Sequence, residues 1–162
     1  MKRNKLSDTE IKVRVHSILK DYLDNPEVLG MKDFIQHGSV STYDHALSVA
    51  YLCYKLAYKN KKADIPLLTV CAFLHDFYLY DWHERDPSHK WHGFHHARRA
   101  AENAERVFSI GDRGRLVIMS HMWPLNLTRI PRSREALILT VADKLVSARE
   151  SISGIFSPKG KR

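Results

Sequence analysis

The sequence predicts an all-α fold, a single domain built as a bundle of about six to seven helices. Three observations carry this. Apolar residues recur three and four positions apart along most of the chain, and helix-opening and helix-ending residues punctuate them. No stretch alternates apolar with polar residues as a half-buried strand would. With 162 residues, 44% of them hydrophobic and 27% charged, the chain has the length and composition of one globular core.

The elements follow in order. Ser7 and Glu10 stand at capping-box spacing, and Ile11, Val15, Ile18, Leu19 and Tyr22 then share one helical face. Asn25-Pro26 ends that helix. A short helix is expected over residues 27–36, and "QHGSVST" reads as a turn supplying Ser41 or Thr42 as the next N-cap. "YDHALSVAYLCYKLAYK" is apolar-periodic through Ala46, Val49, Ala50, Cys53, Leu56 and Ala57. Asp64 and Pro66 open a helix expected to run through His75 and Asp76. "DWHERDPSHKWHG", residues 81–93, reads as a loop. "FHHARRAAENAERVF" is a helix with an alanine seam, and Gly111 to Gly114 reads as a break. "RLVIMSHMW" is a helix stopped by Pro124, and Pro131 and Ser133 precede the last long one, "REALILTVADKLVSARES". The tail from about residue 155, ending "SPKGKR", is expected to be loose.

Bulk properties narrow the function classes. No apolar run approaches a bilayer-spanning length, and "MKRNKLSDTE" lacks the apolar core of a signal peptide. Cys53 and Cys71 form neither a disulfide framework nor a C-x-x-C motif, so a cytoplasmic setting is expected, with no membrane partner. A formal net charge of +8 favours anionic partners. The basic residues are scattered among acidic ones and no nucleic-acid recognition motif is present, which argues against nucleic acid.

The chemistry lies in polar residues that interrupt apolar helical stripes. His45 is one turn from Val49, His75 and Asp76 split the run "VCAFLHDFYLYDW", and His96 stacks over Ala100. His121 follows Val117 by one turn, and Asp143 follows Leu139 likewise. Each alone has a structural explanation, such as a histidine bonded to a carbonyl. Six together would leave a core with several unpaired polar groups, which native interiors avoid. A divalent cation at their meeting point satisfies all of them. Imidazole and carboxylate without thiolate suit Fe, Mn, Co, Ni or Zn, and ligands drawn from separate helices are unlike a structural zinc site.

The order His45, His75-Asp76, Asp143 resembles the HD-domain superfamily of metal-dependent phosphohydrolases, over roughly residues 40–150. His96 and His121 are similar to the two further histidines of the subgroup with two metals, H…HD…H…H…D. "HHARRAAENA", "SHMWPL" and "VADKL" also resemble bacterial members of that subgroup, although His96-Ala97 stands where those relatives often have His-Pro. His92 and His95 crowd His96, so either could take its place. The resemblance implies a first metal on His45, His75, Asp76 and Asp143. It implies a second on Asp76, His96 and His121, with Asp76 bridging. The ions would be two of Fe, Mn, Co, Ni, Zn or Mg.

Phosphoester or phosphoanhydride hydrolysis by metal-activated water follows as the expected activity, with a nucleotide as the small phosphorylated substrate. Lys144, beside Asp143, is a candidate for contacting the substrate phosphate, as are His37 and His92. Arg85, His89, Lys90 and His92 are candidates for a positive lid, with a solvated surface loop as the alternative, and Trp82, Trp91 and Trp123 for base stacking, with core or rim packing as the default. Two other readings stand beside this one: a regulatory module binding nucleotide or nucleic acid with a vestigial metal site, and a di-iron oxygenase.

Overall fold

The computed structural model describes residues 5–37, 39–79 and 92–156, with side chains at 37, 92–94 and 154–156 excluded. Its architecture is helical: α1 (Asp8–Leu23), α2 (Pro26–Leu29), α3 (Thr42–Ala57), α4 (Ile65–Leu74), α5 (His92–Phe108), α6 (Gly111–Ser120) and α7 (Arg134–Phe156). A 3₁₀ turn (Gly30–Asp33) and the two short strands β1 (Ile35–His37) and β2 (Val40–Ser41) link α2 to α3.

The caps explain where helices begin. Ser7 and Glu10 form the reciprocal capping box of α1. Ser41 caps α3 by accepting from the Asp44 N–H, and Asp64 caps α4 by accepting from Leu67, with Pro66 in the first turn. α4 is apolar on every side and buried from Leu68 through Leu74. A helix with no polar face belongs in the middle of a core. It packs chiefly against α3, and also against α1, α6 and α7, while α5 lies mainly along α6. Ala100, Ala101 and Ala104 are the buried seam of α5, small enough to admit its neighbours closely. Burying Phe73 and Phe77 contributes about 1.5–3 kcal/mol each.

Five features differ from expectation. Around "QHGSVST" the chain forms an antiparallel pairing, Ile35 opposite Ser41 and His37 opposite Val40, too short to show alternation in sequence. The expected helix over 27–36 is only α2 and the 3₁₀ turn. α4 stops at Leu74, so His75 is its C-cap and Asp76 lies in the turn beyond. Gly111 opens α6 rather than sitting in a four-residue break: it takes φ +72, two residues after Ser109 at φ +50, and its N–H donates to Glu105 Oε2 at 2.8 Å. His121 likewise caps α6 instead of lying inside it. Residues 80–91, with Arg85, His89 and Lys90 of the candidate lid and with Trp82 and Trp91, lie outside the described residues, as does the tail from 157. Among the described residues no helix is long and apolar enough to cross a membrane.

Candidate metal centre

Because α4 is the central helix, whatever follows its last turn emerges in the interior. His75 and Asp76 do so at 0% and 2% exposure. The first turn of α3 brings His45, the first turns of α5 bring His96, the end of α6 brings His121 and the middle of α7 brings Asp143; all are buried. All six expected residues meet in one cluster.

The two oxygens of Asp76 face opposite halves of it. Oδ2 lies 3.2 Å from His75 Nε2 and 3.8 Å from His45 Nε2. Oδ1 lies 3.5 Å from His96 Nε2 and 3.8 Å from His121 Nε2. Asp143 Oδ1 closes the first half, 3.3 Å from His45 Nε2 and 3.5 Å from His75 Nε2. In the second half, His96 Nε2 and His121 Nε2 stand 3.1 Å apart.

The imidazoles are oriented by their other nitrogens. His75 Nδ1 donates to the Ala72 carbonyl at 2.8 Å, and His121 Nδ1 donates to the Ile118 carbonyl at 2.7 Å. Both carbonyls belong to the last turn of a helix, and that of Ile118 also accepts the His121 backbone N–H at 3.3 Å. His45 Nδ1 donates to Glu150 Oε2 at 2.8 Å. In each case Nδ1 is the hydrogen-bond donor, so Nε2 is the nitrogen turned into the cluster and the one that ligates a metal once deprotonated.

Electrostatics agree with that role. Burial would raise the carboxyl of Asp76, yet His75 above all holds it well below the ordinary range. Asp143 is held low against burial by His45 and His75. His121 is pushed down to about 3, first by burial and then by His75 and His96. Burial also opposes charge on His45 and His75, but Asp143 and Glu150 raise the first, and Asp76 and Asp143 raise the second. Anionic carboxylates and a neutral His121 are ready ligands, while a cation would displace the protons of His45 and His75.

The donor set fits a divalent cation. His75 Nε2 and Asp76 Oδ1 are buried with no hydrogen-bond partner among the described residues. Leaving such groups unsatisfied costs about 1–3 kcal/mol each. Three overlapping triads bring nitrogen and oxygen donors within 4.8 Å: His45-His75-Asp76, His75-His121-Asp143 and Asp76-His96-His121. No cysteine belongs to any of them, which suits hard or borderline ions.

Of the crowded histidines, His96 faces the cluster and His95 is exposed. His92 opens α5 and His37 ends β1, and the side chains of both lie outside what the structure describes. Lys144 sends Nζ to the His121 carbonyl at 3.0 Å, and burial lowers its pKa while Asp143 opposes. Trp123 is partly buried just beyond His121.

Two participants escaped the sequence reading. Gln36 donates to Asp76 Oδ2 at 2.6 Å, and its own carbonyl accepts from Tyr78 and, at 3.3 Å, from Thr42. It sits beside His37, the residue the sequence reading favoured. Glu150 carried a readable signal, two turns beyond Asp143 and so on the same face of α7.

The family model for the HD domain matches residues 42–148, a span holding all six clustered residues but neither Gln36 nor Glu150. No match is found among curated proteins or among solved structures.

Proposed function

The chain belongs to the HD-domain family, within a superfamily of metal-dependent phosphohydrolases, and from that premise we propose that it hydrolyses a phosphoester or phosphoanhydride of a small phosphorylated substrate, a nucleotide in class. The observation that carries the reading is the division of Asp76, one oxygen toward His45 and His75, the other toward His96 and His121. That division supports two ions sharing Asp76, one also on His45, His75 and Asp143 and the other also on His96 and His121. When bound, such ions supply Lewis acidity and bring the pKa of a water toward neutrality.

The chain's own residues do the rest. Gln36 keeps Asp76 from rotating, so its oxygens stay aimed at separate halves. Glu150 holds His45 in the tautomer with Nε2 inward. Lys144, anchored by one N–H on the His121 carbonyl, retains two donors for phosphate oxygens, and His37 and His92 complete the proposed substrate contacts. The net charge of +8 draws anions toward the protein.

The test is metal per chain by mass spectrometry, before and after reloading with manganese or iron, followed by a panel of phosphoesters and nucleotides. Two equivalents with metal-dependent release of phosphate or a nucleotide product support the reading. Protein that stays metal-free after reloading ends it.

A further inference from the structure

The cavity of about 490 Å³ between the start of α4, the outer face of α6 and the start of α7 shares no residue with the metal centre. Its walls are of two kinds. Leu67, Leu116, Val117, Ile130 and Ala136 form an apolar side, with Leu116 and Ile130 left 62% and 52% exposed. Arg113, Arg129 and Arg132 supply cationic groups, and Glu135 is the carboxylate among the lining residues.

Glu135 is already used. Its Oε1 accepts from the Asp64 N–H at 2.8 Å, and Arg113 pairs with the Asp64 carboxylate at 3.4 Å. Arg129 and Arg132 form no ion pair among the described residues. A smaller cavity of about 240 Å³ shares Met119, Thr128 and Arg129 with it as lining residues and adds Arg98 and His95.

An inorganic anion would engage the guanidiniums and leave the leucine and isoleucine walls wet. A neutral apolar ligand would bury those walls and leave two cations without a counter-charge. From these two halves we propose a second binding site, for an amphipathic organic anion: an acidic head on Arg129 and Arg132 and a hydrocarbon or aromatic body along Leu67, Leu116, Val117 and Ile130. The volume suits a single small molecule, within the range of about 300–1,000 Å³ usual for such sites, and arginine is the side chain best shaped to grip a planar or tetrahedral oxyanion.

The experiment is a methyl-resolved NMR titration of metal-loaded protein with octanesulfonate, whose head is not a substrate for phosphoester hydrolysis. Methanesulfonate tests the head alone and octyl glucoside tests the tail alone. The proposal expects saturable shifts at the methyls of Leu67, Leu116, Val117 and Ile130, with each control binding at least about tenfold more weakly. Arg129→Glu combined with Arg132→Glu, both exposed positions, should weaken octanesulfonate by about tenfold or more with metal content unchanged. Equal binding by that double variant, equal binding by either control, shifts confined to other methyls, or no saturable binding overturns the proposal. Because hydrolysis is not read, loss of the proposed activity and loss of this site are separable results.

Discussion

Glu150 accepts a hydrogen bond from His45 Nδ1 at 2.8 Å across 105 residues of sequence, and both side chains are buried. The contact ties the start of α3 to the far part of α7 and turns Nε2 of His45 toward Asp143 and Asp76. A carboxylate behind a histidine fixes its tautomer and raises its basicity. Glu150→Leu should therefore weaken metal binding by about 10–100-fold in competition with a chelator. Glu150→Gln retains an acceptor and should lose less. Equal affinity for wild type and Glu150→Leu would show that the contact only packs α7.

Asp76 is the residue common to both halves of the cluster. Asp76→Ala should abolish metal retention and hydrolysis together, a loss beyond the roughly hundredfold typical of a supporting residue. Chelator treatment of the wild type should reproduce the loss, and reloading should reverse it. Hydrolysis persisting in metal-free Asp76→Ala would remove the mechanism proposed here.

His121 lies nearest the Oδ1 side of Asp76, at 3.8 Å, although it also forms a triad with His75 and Asp143. His121→Ala should retain one metal equivalent of two, counted by mass spectrometry. Equal loss of both ions would mean a single cooperative site, for which the contact between His75 and His121 rings, with centroids 4.9 Å apart, offers a route.

Among the described residues the hydrogen bond of Lys144 toward the metal centre goes to the His121 carbonyl, not to a ligating side chain. Lys144→Ala should raise KM by about tenfold, the size of one charge-assisted hydrogen bond to phosphate, with metal content unchanged. If metal content falls instead, Lys144 positions His121 rather than contacting substrate.

Glu135 predicts a pH dependence away from the metal centre. Burial would raise its carboxyl, but the N–H of Asp64 first, then its own N–H and Ser133, bring it below the usual glutamate value of 4.5. A depressed carboxylate stabilises the fold fully above its unfolded pKa, and that contribution fades as pH falls through the folded value. Glu135→Gln should thus be less stable than wild type at pH 7, and the gap should shrink below about pH 4.5. Urea unfolding at pH 7 and at pH 3.5 measures both differences. A gap that does not change with pH would assign the effect to shape rather than charge.

By itself the sequence determined the helical class, the capping box of Ser7 and Glu10, the apolar faces, and the six polar residues that break those faces. These are local signals: a period of 3.6 residues and a cap are written within one segment. The family resemblance rested on the same six positions, and the HD-domain match spans them. Only the tertiary structure decided that α4 stops at Leu74, that Asp76 presents one oxygen to each half, and that His96 rather than His95 faces inward. It also brought Gln36 from a three-residue strand and Glu150 from the far part of α7 to orient Asp76 and His45. Those choices depend on which buried donor meets which acceptor between elements distant in the chain, and no local periodicity encodes that pairing.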